Sequence, residues 1–185
     1  MDDNLKILIK QCQENKTSAQ SEIYKQFSAQ LFSVCLRYAD NYDDAQDIFQ
    51  DGFIIIFHKI NQFRFEGSFE GWLRRIMVNC CIEKHRNKNY LYVINEELTP
   101  DESPDDEDDF ETEDYTYDEI LEFVRSLPDR YNQVFNLYAI EGYSHQQIAE
   151  MLQISVGTSK SNLSRAREKL KELIKKNKEI KVVSK

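Results

Sequence analysis

Residues 141–170 read EGYSHQQIAEMLQISVGTSKSNLSRAREKL. Ser144 and Gln147 stand at the S-x-x-Q spacing of a capping box, which predicts a helix opening just after Ser144. Ile148, Ala149 and Leu152 supply its inward face, and the small Ala149 lets a second helix come close. QIS, residues 153–155, makes the turn. The second helix then buries Val156, Leu163, Ala166, Leu170 and Leu173, at helical spacings of seven, three, four and three. Near its start the outward side shows Thr158, Ser161, Asn162 and Arg165, with Lys160 on the flank and Arg167 further along. Helix, turn and second helix in this order form a helix-turn-helix, whose second helix places its first residues in the DNA major groove. Hydroxyls of Thr and Ser suit phosphates, the Arg165 guanidinium fits guanine and the Asn162 amide fits adenine. A plain amphipathic helix pair satisfies the apolar spacing equally well.

Such a motif is unexpected in a chain of formal net charge −9 and isoelectric point near 4.9. The charge is segregated, however. Residues 95–122, NEELTPDESPDDEDDFETEDYTYDEILE, hold fifteen acids and no Lys or Arg. The preceding 94 residues carry 12 bases and 12 acids, and residues 123–185 carry 12 bases and 6 acids. The last 31 residues alone hold ten bases and three acids, which supplies non-specific attraction to DNA. Dense like charge with Pro100 and Pro104 predicts a disordered, extended linker over residues 95–116. It acts either as a solvated spacer or as a mimic of a nucleic-acid backbone inside a basic channel of a partner.

Working back towards the N-terminus, four helices are predicted. Residues 3–14 place Leu5, Leu8 and Ile9 on one side. Thr17 opens the second helix with a capping box to Gln20, and Ile23, Phe27, Leu31, Val34 and Tyr38 recur at helical spacing. In the third, Ala45, Phe49, Gly52, Phe53, Ile56 and Ile60 form a core face, opposite Asp43, Asp47, Gln50, Asp51, Ile54 and His58. An isoleucine among exposed acids suits a docking surface for a basic partner. The fourth helix follows the loop RFEGS, with Ser68 as N-cap. Phe69, Trp72, Leu73, Ile76 and Cys80 are predicted to face inward, and Arg75, Asn79, Ile82 and Arg86 form a separate stripe. Residues 59–90 carry seven bases and three acids; with the aromatics nearby, that suits single-stranded nucleic acid. A solvated basic face over a core tryptophan is the alternative.

Composition narrows the rest. Only five Gly and three Pro suit long helices, so the predicted fold is all-α, and 185 residues allow one ordinary domain or two small helical domains. No apolar run reaches the roughly 20 residues of a membrane span, and the start lacks the basic and apolar regions of a signal peptide. Cys12, Cys35, Cys80 and Cys81 form no C-x-x-C pair, and His58, His85 and His145 lie at no zinc spacing. The cysteines read as small apolar residues of a reducing compartment. No phosphate loop, metal-ligand set or nucleophile–histidine–acid set is present, so no cofactor and no enzymatic activity are expected.

Taken together, the chain strongly resembles the extracytoplasmic-function (ECF) class of bacterial RNA polymerase sigma factors. DDAQDIFQDGFIIIFHKINQFRFEGSFEGWLRRIMVN resembles region 2 of that family, and LPDRYNQVFNLYAIEGYSHQQIAEMLQISVGTSKSNLSRAREKL resembles region 4. The resemblance implies a region 2 domain over residues 1–94, the linker over 95–116 and a region 4 domain over 117–185. It implies that Asp47, Gln50, Asp51 and Ile54 dock on the clamp helices of the polymerase β′ subunit. Phe65, Trp72, Arg74, Arg75, Asn79 and Arg86 would hold the unpaired −10 strand. Thr158, Lys160, Ser161, Asn162, Arg165 and Arg167 would serve the −35 element, while the apolar back of that domain meets the β flap. Core RNA polymerase, promoter DNA and an anti-sigma factor are the implied partners, in the cytoplasm and without membrane insertion. Three positions depart from the family: Gln153 stands where the turn often has Gly, Ser159 replaces an apolar residue and Asn162 replaces a base. A stand-alone DNA-binding regulator is the second reading, but it gives the acidic Ile54 face and the linker no shared purpose.

Overall fold

The structure is a computed structural model that describes residues 2–89 and 115–183. The expected disordered linker lies outside the described residues, apart from Tyr115 and Thr116. The chain divides after Leu91 into two compact units.

The first unit holds α1 (Asp3–Gln13), α2 (Thr17–Tyr38), α3 (Tyr42–Lys59) and α4 (Phe69–Asn89), with a 3-10 turn at Ile60–Gln62. Helices α2, α3 and α4 pack on one another, and α1 lies against α2 and the 3-10 turn. Asn41 starts α3 by accepting the Asp44 backbone N–H at 2.8 Å, and Ser68 starts α4 by accepting that of Gly71 at 3.2 Å. The capping box expected from Thr17 to Gln20 does not form. Asn15, at φ 61°, reverses the chain early enough that Lys16 becomes the N-cap and Thr17 the first helical residue. The Lys16 carbonyl then receives the N–H groups of Ala19 and Gln20.

The core face expected of α3 is buried throughout, with Ile48 added to it. On α4 the inward stripe is displaced from the expected one. Phe69, Leu73, Met77, Cys81 and His85, successive steps of four, are buried, whereas Trp72, Ile76 and Cys80 are half-buried. The helix wedges between α2 and α3, so the residues facing both neighbours are covered most. Polar His85 is accommodated because its Nε2–H donates to the Tyr38 carbonyl at 2.6 Å. Gly52 lets α3 approach α4 closely: a Cβ there would stand 2.5 Å from Sδ of Met77. All four cysteines are free thiols on helices. Burial pushes the Cys80 thiol up to about 11 and Cys81 well above its ordinary value, so both are protonated packing groups.

The second unit holds α5 (Tyr117–Arg125), α6 (Asp129–Phe135), α7 (His145–Leu152) and α8 (Val156–Val183). Tyr115 and Thr116 belong to it rather than to a linker. The Tyr115 hydroxyl donates to the Ile174 carbonyl at 3.0 Å, and Thr116 forms a capping box with Glu119. Val124 and Leu127 pack with Ala166 and Leu170 of α8. Pro128 is the N-cap of α6. That helix widens into a π turn at Asn136–Ile140, closed by the Glu141 N–H to the Asn136 carbonyl at 2.9 Å. Buried Asn132 and Asn136 support it, since Asn132 donates to the Val124 carbonyl at 2.8 Å and Asn136 donates to Asn132. Gly142, at φ 75°, ends the turn.

The capping box at α7 forms as the sequence predicts: Ser144 Oγ accepts the Gln147 N–H at 3.3 Å, and Gln147 Oε1 accepts the Ser144 N–H at 2.9 Å. At the turn, Gln153 is left-handed (φ 57°, ψ 43°), a conformation in which a Cβ costs about 1–2 kcal/mol. Gln153→Gly is therefore expected to stabilise the second unit by about 1 kcal/mol, once the entropy lost by glycine is subtracted. Urea unfolding checks this, and a lower midpoint for the glycine variant would show that the Gln153 side chain itself stabilises the turn.

Candidate functional site

In the first unit, an aromatic platform surrounds the start of α4. Phe63 is buried with its ring 5.0 Å from Phe69, 5.4 Å from Phe65 and 5.6 Å from Trp72, and Phe69 stacks on Trp72 at 5.8 Å. Phe65 is half-buried and left-handed, at φ 62°, in a loop that continues through Gly67 at φ 84°. A bulky residue in that conformation is strained, and such strain concentrates at ligand-holding loops. Below the platform, Arg75, Asn79 and Arg86 are exposed along one stripe of α4, with Arg86 3.8 Å from Glu83. The structure therefore gathers Phe65, Trp72, Arg75, Asn79 and Arg86 around one end and one face of this helix. Arg74 is not part of that stripe. It lies about 100° round the helix from Arg75, half-buried and engaged with partners of its own.

The acidic face of α3 is present as the sequence predicts: Asp43, Asp47, Gln50, Asp51 and His58 are exposed, and Ile54 is 56% exposed. Asp47 lies 3.8 Å from Lys84 of α4. Between the two helices runs a groove of about 270 Å³ whose walls include Asp51, Ile54, Ile55, Cys80 and Lys84. A second groove of about 300 Å³, between α2 and α3, went unread in the sequence. Tyr24, Phe32, Tyr42, Phe49 and Gln50 line it, and Tyr24 and Tyr42 are exposed. Its sequence signal is the Tyr24, Ser28, Phe32 step of four, which lies one position out of phase with the core stripe of α2.

In the second unit, Ser155 caps α8 by accepting the Thr158 N–H at 2.9 Å, and its hydroxyl lies 2.8 Å from that of Thr158. A 28-residue helix thus presents a capped N-terminus, favourable to phosphate. By helical phase, Lys160 and Arg167 share one edge of the outward arc, and Thr158 and Arg165 share the other. Lys160 is exposed, Thr158, Arg165 and Arg167 are half-buried, and the Arg167 guanidinium lies 6.0 Å from the Tyr138 ring. The outward exposure expected of Ser161 and Asn162 does not hold, since both are buried. The Ser161 hydroxyl turns back to donate to the Thr158 carbonyl at 3.1 Å, and Asn162 adjoins the core stripe at Leu163 and Ala166. Ser159 is fully buried, and its hydroxyl meets Nδ1 of His145 at 2.9 Å, with the His145 ring stacked on Tyr138 at 4.5 Å. A polar pair thus occupies the joint between α7 and α8 where the family often has an apolar contact.

Comparison with known proteins finds relatives for both units. The family model described as Sigma-70 region 2 matches residues 23–90, and that described as Sigma-70, region 4 matches residues 113–170. The chain is 30% identical over 181 residues to the ECF RNA polymerase sigma factor SigW of Bacillus subtilis, covering 92% of this chain and 97% of that protein. It is 27% identical over 183 residues to the ECF RNA polymerase sigma-E factor of Haemophilus influenzae, covering 90% and 93%. Among solved structures, the fold is similar to that of the sigma factor RpoE of Bartonella quintana, co-crystallised with the anti-sigma factor NepR. That likeness has a TM-score of 0.53 at 21% identity, over 84% of this chain and 96% of that one. It is also similar to CnrH in complex with the cytosolic domain of CnrY, at TM-score 0.51 and 22% identity, over 91% and 96%.

Proposed function

This chain belongs to the ECF class of the sigma-70 family, and from that premise we propose how its parts divide the work of promoter recognition. It is a promoter-recognition subunit of RNA polymerase. Residues 1–94 dock on the core enzyme and hold the melted −10 strand, and residues 115–185 read the −35 duplex. The observation that carries the division is the contrast between the two basic surfaces. The first offers an aromatic platform beside Arg75 and Asn79, suited to unstacked bases. The second offers a helix end suited to a major groove.

The exposed Asp47, Gln50, Asp51 and Ile54 face meets the β′ clamp helices. The back of the second unit, where Ile140 and Tyr117 are exposed, meets the β flap. The acidic linker follows a basic path in the polymerase that nucleic acid otherwise occupies. Both similar solved structures are complexes with a protein partner, one of them named an anti-sigma factor, and an anti-sigma factor is the regulator proposed here. Bond-forming chemistry belongs to the polymerase in the cytoplasm, and this subunit selects the start site.

Within the −35 reader, Lys160, Arg165, Arg167 and Thr158 carry the contacts. Burial leaves Ser161 and Asn162 to shape the helix rather than to touch bases. Arg165→Ala is expected to cost about 1–3 kcal/mol at the preferred −35 sequence, roughly 5- to 150-fold in affinity. Holoenzyme binding to fragments with the preferred and a scrambled −35 element measures it. Discrimination unchanged by the substitution would remove Arg165 from the reading surface.

A further inference from the structure

Helix α1 precedes the residues matched to region 2, yet its last turn is built into the platform loop. The Gln13 side-chain amide donates twice across the fold, to the carbonyls of Ile60 at 3.0 Å and Phe63 at 3.1 Å. One turn earlier, the Lys10 ammonium stands 6.0 Å from the centre of the Phe65 ring. The two neighbouring lysines are neutralised locally, Lys6 by Asp3 at 2.8 Å and Lys16 by Glu14 at 2.9 Å. Lys10 is exposed and makes no ion pair among the described residues.

A left-handed phenylalanine persists only where its surroundings over-determine it. Gln13 fixes the chain two residues before Phe65, and the Ser68 cap fixes it three residues after. A base stacked on Phe65 brings its own phosphate close beside that ring, and Lys10 holds an unneutralised charge over the ring. We infer that α1 forms one wall of the single-strand site, with Gln13 positioning the Phe65 loop and Lys10 contacting a phosphate of the captured strand. The inference rests on the reading that this loop receives the unpaired −10 strand.

The test uses holoenzyme assembled from core polymerase and the full chain. The probe is a labelled single-stranded oligonucleotide selected on that holoenzyme from randomised DNA. Lys10→Gln is expected to weaken binding about fivefold and to flatten the dependence of log affinity on log salt by about 0.7. Lys10→Arg restores both. Gln13→Leu weakens binding to a similar degree, with the salt dependence and the affinity for core polymerase unchanged. Phe65→Ala serves as the control for the underlying reading. If Phe65→Ala loses the oligonucleotide while Lys10→Gln matches wild type in affinity and salt slope, α1 is only a scaffold and the inference fails. If Phe65→Ala also binds as wild type, the strand reading itself falls, and the inference falls with it.

Discussion

Ile54→Asp is expected to weaken assembly with core RNA polymerase by roughly 30- to 1,000-fold, about 2–4 kcal/mol, while the melting temperature of the free chain stays unchanged. Ile54 is 56% exposed amid Asp47, Gln50 and Asp51, so the free fold draws little from its side chain. In the docked state the same side chain would be the apolar centre of an otherwise charged contact. An aspartate there would bury a charge without a partner, which costs far more than the lost apolar area alone. Charge reversal at the rim behaves differently. Asp51→Lys lowers the association rate and its salt dependence, because rim charges steer encounter more than they hold the complex. Size-exclusion or fluorescence titration against core enzyme separates the two. An Ile54→Asp chain that assembles with wild-type affinity would move the docking surface elsewhere on this unit, with the aromatic Tyr24–Tyr42 groove the next surface to test.

The second large effect lies in the core. Gly52→Leu is expected to destabilise the first unit by about 2–3 kcal/mol. Two terms oppose each other at this position. Any side chain in place of glycine gains up to about 1 kcal/mol of helix propensity. Against that, a Cβ at Gly52 would stand 2.5 Å from Met77 Sδ and 2.7 Å from its Cε, and Met77 is fully buried. Alanine asks only that the thioether swing aside, so Gly52→Ala should come out near neutral. Leucine must also find room for its branch, so the overlap forces α3 and α4 apart. Removing the obstructing side chain provides the internal check. Met77→Ala alone costs about 2–5 kcal/mol, but combined with Gly52→Leu it should cost clearly less than the sum. Urea midpoints of the four chains give the coupling. Strict additivity would mean that the leucine is accommodated somewhere other than against Met77.

Much of this fold was legible because its signals are local. The Ser144 capping box, the turn at Gln153 and the core face of α3 each depend on residues within a turn or two of one another. The concentration of acid between residues 95 and 122 needed only counting. What escaped was decided by tertiary neighbours. The buried stripe of α4 runs through Met77, Cys81 and His85 rather than Trp72, Ile76 and Cys80, because two helices cover it from different sides. Asn132 and Asn136 look like surface residues in sequence, yet they are buried supports of a π turn that no apolar period announces. The site divided in the same way. The acidic α3 face lies exposed as its spacing predicts, and Arg75, Asn79 and Arg86 share an exposed stripe of α4 on which Ile82 is half-buried, whereas spacing alone turns Ser161 and Asn162 outward and the fold buries both. Gln13 lies 47 and 50 residues from the carbonyls it binds, a separation at which sequence periodicity carries no information.

The division of labour between the two units is tested most directly by run-off transcription from a pool of genomic fragments, using core RNA polymerase with and without this chain. The account predicts discrete new transcripts that require the chain. They should be lost with Ile54→Asp, which blocks assembly, and reduced with Arg165→Ala, which leaves assembly intact. Specific retention of a duplex by the chain alone, with no chain-dependent transcript from a fragment carrying that duplex, would contradict the account and make the protein a free DNA-binding regulator.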